Sequence, residues 1–115
     1  MQLIDTHNHL YLDEFNSDRE ALITAAQDSG IEKLLLPNVD ITTIEQMHSL
    51  CDNYPEFTYP MMGLHPTSVD THYTEDLKKI ESWLGKRTYC GIGEIGIDLY
   101  WDKTYIKEQK KVFEE

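Results

Sequence analysis

Apolar and polar positions alternate in blocks along the chain. Leu3 to Thr6 is a short apolar stretch and predicts a first strand. "NSDREALITAAQDSG" predicts a helix, with Asn16 or Ser17 as its cap, alanines favouring it and Gly30 ending it. "IEKLLLP" predicts a buried strand that Pro37 stops. In "DITTIEQMHSLCDNYP", Asp40 is the expected cap, and Ile44, Met47, His48 and Cys51 fall on one helical face. "FTYPMMGLHP" predicts a third strand, in which Pro60 is awkward because proline cannot donate to a ladder. "TEDLKKIESWLGK" is amphipathic through Leu77, Ile80 and Leu84, with Gly85 near its end. "TYCGIGEIGID" predicts a fourth strand that breaks up into glycines, and "TYIKEQKKVFEE" opens a fourth helix.

Strand followed by helix thus occurs four times, at roughly 30 residues per unit, the spacing of a (β/α)8 barrel of ~250 residues. A small doubly wound parallel sheet is the alternative. No linker, repeat or low-complexity tract divides the chain. Its 115 residues suffice for one domain. The last helix ends mid-turn at Phe113-Glu114-Glu115, so residues 1–115 are expected to be one partial domain cut within its fourth helix.

Composition narrows the setting. No apolar run approaches the ~18 residues of a membrane span, and the N-terminal residues lack the pattern of a signal peptide, so a cytoplasmic protein is expected. Cys51 and Cys90 are isolated and read as core thiols. The net charge of −11 argues against gripping a nucleic-acid backbone with Lys and Arg alone. It leaves room for phosphate substrates if metal ions supply the positive charge locally.

The chemistry concentrates in three short segments. In "LIDTHNHL", Asp5, His7 and His9 share one side of an extended chain, whereas a helix would send the two imidazoles about 200° apart. Converging imidazoles suit a metal ion, and Asp5 could orient a ligating ring by accepting its other N–H. "GLHP" places His65 where the third strand ends. Metal ligand, substrate contact and structural cap are all open for it, with a direct substrate or phosphate contact favoured. "GIGEIGIDLYW" places Glu94 among glycines, where a carboxylate needs a partner or a metal. Asp98 follows, in a direction the glycines leave undetermined. Parallel barrel topology would gather these strand ends on one rim. Gly91, Gly93 and Gly96 match a dinucleotide fingerprint by letter, but after the wrong strand and with a carboxylate inside the loop. His48 reads as a packed residue and His72 as solvated. Tyr100 and Trp101 read either as a wall for a substrate ring or as packing.

"IDTHNHL", "GLHP" and "GEIGID", in this order and spacing, resemble the TatD-related metal-dependent hydrolases. The resemblance covers the whole chain and implies the N-terminal half of a (β/α)8 TIM barrel of the metallo-dependent hydrolase type. It implies a hydrolase of phosphodiester bonds, often a deoxyribonuclease, using two divalent ions (Mg, Mn or Zn) in the full-length protein. His7 and His9 would bind one metal, Glu94 would bridge two, His65 would sit beside the scissile phosphate, and Asp98 would lie near the site. The substrate would be DNA or a small phosphodiester, with no membrane partner. The family's later ligands, two histidines and an aspartate, have no counterpart here, since no histidine follows His72. A half-site of this kind is expected to be weak or inactive alone, and open sheet edges are expected to promote self-association. A polymerase-and-histidinol-phosphatase-type phosphoesterase and a non-catalytic metal-binding scaffold are the competing readings.

Overall fold

The computed structural model describes residues 1–115. Four strands, β1 (Leu3–Asp5), β2 (Ile31–Pro37), β3 (Thr58–Met62) and β4 (Gly91–Ile92), alternate with four helices, α1 (Arg19–Asp28), α2 (Ile44–Asn53), α3 (Tyr73–Leu84) and α4 (Ile106–Glu114). The strands form one parallel sheet in the order β1-β2-β3-β4, with Asp5 beside Leu34, Pro37 beside Met61, and Met62 beside Ile92. A doubly wound sheet needs a point where the strand order reverses, and this one has none. Right-handed crossovers in unbroken order put every helix on the same face, as in the wall of a barrel.

Several boundaries differ from the sequence pattern for identifiable reasons. Strand β1 stops at Asp5, so His7 and His9 lie in an extended loop beyond the ladder. Helix α1 begins at Arg19 rather than after Asn16 or Ser17. Asp13–Phe15 form a 3-10 turn, and the Asn16 side chain is engaged by Arg19 at 2.7 Å. Arg19 also donates to the carbonyls of Leu10, Tyr11 and Leu12, tying the loop after β1 to α1. Helix α2 begins at Ile44, and Asp40 instead accepts the N–H and hydroxyl of Thr42. Gly30 does close α1, at φ +88°. Pro60 is tolerated because its missing N–H falls on the β4 side, where its carbonyl accepts Cys90 N–H and the ladder is only beginning.

The core lies between sheet and helices, built on Leu34, Leu36, Met47, Met62 and Leu64. The strands at the two edges are short, and Leu3, Ile4 and Ile92 stay exposed.

One buried polar residue organises the strand ends. Asn38, directly after β2, is fully buried. Its amide donates to the carbonyls of Gly63 at 2.9 Å and Asp40 at 3.0 Å, and its Oδ1 accepts the Thr43 hydroxyl at 3.0 Å. Its backbone N–H is shared between Met61 O and Gly93 O, and its carbonyl accepts Glu94 N–H at 3.0 Å. The ends of β2, β3 and β4 are therefore joined through one residue.

Helix α2 turns Ile44, Met47, His48 and Cys51 inward, as their spacing predicts. His48 Nε2 lies 2.9 Å from the Tyr89 hydroxyl, and its ring meets Trp83 edge-on. Burial and the neighbouring Arg87 lower the His48 pKa, against the pull of Asp52.

Three outcomes follow. Asn38→Ala removes the side-chain partner of Asp40, Thr43 and Gly63 in two segments and is expected to cost roughly 3 kcal/mol in urea unfolding. Thr24→Ala, on the exposed side of α1, should change stability by about 0.5 kcal/mol or less. His48 has a folded pKa below its ordinary 6.5. The unfolded chain therefore takes up a proton first, and the contribution of His48 is present above 6.5 and lost as pH falls through the folded pKa. Unfolding measured at about pH 7.5 and about pH 5 should show a shallower loss for His48→Gln than for the wild type. Equal losses would mean that His48 does not titrate on unfolding.

Candidate metal centre

The loop after β1 is shaped by Asp5 and Asn8. Asp5 accepts the backbone N–H of His7 at 3.1 Å and the Asn8 amide at 2.9 Å, and Asn8 Oδ1 accepts Leu10 N–H. Asp5 was expected to orient an imidazole; its carboxylate is spent on the backbone turn that carries both histidines. The N–H of Asn8 donates to Leu35 O, which continues the link to β2 beyond the end of the ladder.

The partner of the His9 ring is Tyr11. His9 Nδ1 lies 3.0 Å from the Tyr11 hydroxyl, which donates to the Pro37 carbonyl at 2.5 Å. A carbonyl only accepts, so the hydroxyl hydrogen is committed to Pro37 and Tyr11 accepts from His9 Nδ1–H. His9 therefore presents a bare lone pair on Nε2. Burial lowers the His9 pKa against the pull of Glu94, with His7 and His65 acting in the same direction as burial, which favours this neutral form. Burial also raises the Tyr11 pKa, so the phenol keeps its proton. Tyr11 was not singled out in the sequence. The only signal was its place two residues after His9, continuing the alternation of His7 and His9.

Glu94 arrives from β4. Its backbone passes so close to Gly63 that a Cβ there would lie 2.6 Å from Gly93 C and 2.7 Å from Glu94 O. Any side chain at position 63 would displace the carboxylate's own backbone. Glu94 Oε2 lies 3.1 Å from His7 Nε2 and 3.3 Å from His9 Nε2, while Oε1 lies 3.2 Å from His65 Nε2. His7 Nε2 and His9 Nε2 are 3.0 Å apart. One carboxylate thus meets three imidazoles from two other strand ends.

The tautomer of His65 is also determined. Its Nδ1 accepts the backbone N–H of Thr67 at 3.1 Å, with the Thr67 hydroxyl 2.7 Å away. A backbone N–H only donates, so Nδ1 is bare and Nε2 carries the hydrogen that faces Glu94. His65 is a donor toward the site, whereas His9 is an acceptor. Asp98 stays outside the group. It accepts Tyr100 N–H at 2.9 Å, and Gln109 holds its backbone from both sides.

His7, His9 and Glu94 form a group able to hold a metal ion, with one ligand atom each, all within 4.8 Å of one another. The proton count favours a cation. The Glu94 oxygen and the His9 lone pair are both acceptors, and a single His7 Nε2–H cannot satisfy both at full strength. A cation can be ligated by all three atoms at once, and two imidazoles with a carboxylate suit zinc or manganese. Cationic side chains are few on the surrounding rim: residues 6–18, 38–43, 63–72 and 93–102 contain no Lys or Arg, Lys103 is the one lysine of the β4–α4 loop, and Arg19 is engaged by the carbonyls of Leu10, Tyr11 and Leu12.

The chain matches the TatD related DNase family over residues 4–115, and it belongs to that family. It is 32% identical over 111 residues to YabD of Bacillus subtilis (strain 168), an uncharacterized metal-dependent hydrolase, covering 96% of this chain and 43% of YabD. It is 27% identical over 111 residues to the 3'-5' ssDNA/RNA exonuclease TatD of Dickeya dadantii (strain 3937), covering 96% of this chain and 42% of that protein. The crystal structure of the TatD homologue YjjV from Escherichia coli K12 superposes with a TM-score of 0.87 at 29% identity, over 97% of this chain and 44% of YjjV. The chain thus spans less than half the length of the relatives it matches, and its four βα units form half of a TIM barrel.

Proposed function

We propose that this chain carries the N-terminal half-site of a divalent-metal-dependent phosphodiesterase that acts on DNA or small phosphodiesters. The observation that carries the reading is the meeting of Glu94 with three imidazoles, two of them in determined tautomers. His7, His9 and Glu94 would hold the first ion. In the whole protein Glu94 would be shared with a second, completed by residues outside this chain. A bound divalent cation (Mg, Mn or Zn) supplies Lewis-acid polarisation of a phosphoryl oxygen and neutralises charge as it develops.

The chain's own residues do the rest. Tyr11 keeps the His9 lone pair directed at the site. Thr67 keeps the hydrogen of His65 on Nε2, so that His65 donates to an anionic oxygen beside Glu94 and orients it. Asp98 would lie near the chemistry, beside Thr67, and hold the loop after β4 through Tyr100. The names of the relatives support a hydrolase, and one of them is named for single-stranded DNA and RNA. No helix is long and apolar enough to cross a membrane. Cys51 lies in the core as expected, whereas Cys90, also expected there, is exposed beside the Tyr59 carbonyl, and two free thiols suit a reducing, cytoplasmic setting. Residues 1–115 would form a single partial domain, with the free edges of β1 and β4 covered by the remainder of the barrel or by a second copy.

Metal binding and turnover test this reading. Calorimetric titration with manganese or zinc should show binding that is lost in His7→Ala and in Glu94→Ala. Cleavage of a chromogenic phosphodiester by the full-length protein should be lost in the same variants. Unchanged binding and turnover in both would sink the assignment. Tyr11→Phe keeps the ring but removes the acceptor for His9 Nδ1–H. It should weaken metal binding by about 10- to 100-fold, the usual effect of losing a residue that orients a metal ligand. Unchanged affinity would show that Tyr11 does not govern His9.

A further inference from the structure

The loop between β4 and α4 carries the two largest exposed aromatic rings of the molecule. Tyr100 is 82% exposed and Trp101 80% exposed. Neither contributes to the core. Their ring centroids are 4.8 Å apart and nearly perpendicular, so each ring restrains the other while leaving faces open to solvent.

The loop holds them in place. Asp98 accepts Tyr100 N–H at 2.9 Å. Asp98 itself is clamped by the buried Gln109 of α4, which accepts its N–H at 2.9 Å and donates to its carbonyl at 3.1 Å. Just beyond Trp101, Asp102 accepts both the N–H and the hydroxyl of Thr104. Large exposed rings on a fixed backbone lose little freedom when a flat ligand settles on them.

Their position relates them to the His/Glu group. Trp101 lines a small hollow of about 120 Å³ together with Pro66, Thr67, Asp98 and Tyr105. Thr67 is the residue that fixes the His65 tautomer, and His65 meets Glu94. The aromatic pair and the candidate metal group are thus two sides of the same His65–Thr67 turn.

We infer that Tyr100 and Trp101 are a stacking ledge for an unpaired nucleobase of the substrate, so that this half-site recognises a single strand by its bases as well as by its phosphates. This rests on the phosphodiesterase reading above. The rim favours such a ledge. Residues 6–18, 38–43, 63–72 and 93–102 carry no Lys or Arg, Lys103 is the one lysine of the β4–α4 loop, and the chain carries −11 charges, so few cationic side chains are there to hold a polyanion. Base–aromatic stacking needs no charge and is worth about 1–3 kcal/mol per base. A duplex keeps its bases stacked on each other, so a ledge of this kind discriminates in favour of single strands and frayed ends.

The test is a binding comparison in the full-length, metal-loaded protein. Fluorescence anisotropy is read for a labelled thymidine hexamer and for an abasic hexamer of equal charge, both with phosphorothioate linkages that resist hydrolysis. The wild type should prefer the thymidine hexamer by about tenfold or more. Trp101→Ala and Tyr100→Ala should each reduce that preference, Trp101→Ala bringing it close to one. Trp101→Phe, which keeps a stacking face, should restore most of it and shows that the variant fold is intact. Equal affinity of the wild type for both hexamers, or a full preference in Trp101→Ala, overturns the ledge. Metal-dependent cleavage of methyl p-nitrophenyl phosphate, which carries no base, is measured alongside. Turnover of that ester without a base preference removes the ledge alone. A base preference without metal-dependent turnover supports the ledge and removes the phosphodiesterase reading.

Discussion

The arrangement of the candidate centre depends on the buried Asn38. Parallel strands bring their C-terminal ends to one rim, but they do not by themselves fix the distances between the loops that follow. Asn38 does this with bonds to Asp40, Thr43 and Gly63 through its side chain and to Met61, Gly93 and Glu94 through its backbone. The bonds to Gly63 and Thr43 are buried, so losing either leaves a buried group unpaired, at a cost in free energy that a surface bond does not carry. The backbone of Glu94 is anchored to Asn38 and packed on Gly63, which gives the carboxylate little freedom to move away from the histidines.

The chemical character of the centre then follows from where hydrogens can sit. Pro37 O forces Tyr11 to accept from His9, and Thr67 N–H forces His65 to accept at Nδ1. Two histidines that look equivalent in sequence are thereby made opposite, one an acceptor and one a donor. Between them lies a carboxylate shared with His7. Such a group is under-supplied with hydrogens and well suited to a cation.

Charge and topology support the same picture at larger scale. A chain of net charge −11, with Lys103 the one lysine on the rim loops, has few cationic side chains with which to attract phosphate. A metal ion held by His7, His9 and Glu94 would bring positive charge to a rim that otherwise has little. The sheet is half of a closed barrel, and the relatives it matches are more than twice its length. The exposed apolar residues of the edge strands are those a closed barrel would cover.

Much of this was legible in the sequence. The four βα units show in the hydrophobic pattern because helices and buried strands impose different periods. His7, His9, His65 and Glu94 stand out because a strand-end rim is the one place where residues so far apart in sequence converge. Local hydrogen bonding decided the rest. Asp5 looked like a partner for an imidazole and turned to the backbone, since a bend follows it directly. Asp98 also holds the next loop by accepting Tyr100 N–H, a role its spacing did not show. Asn38 and Thr67 carried no pattern and Tyr11 only its place in the alternation after His9, because their roles come from partners as distant as residues 63 and 94, or from which atom bears a hydrogen. The sequence by itself determined which residues could reach the rim, since spacing and period set the topology. Only the tertiary structure decided which of them face one another and with which protons, since these depend on distances of a few tenths of an ångström between separate strands.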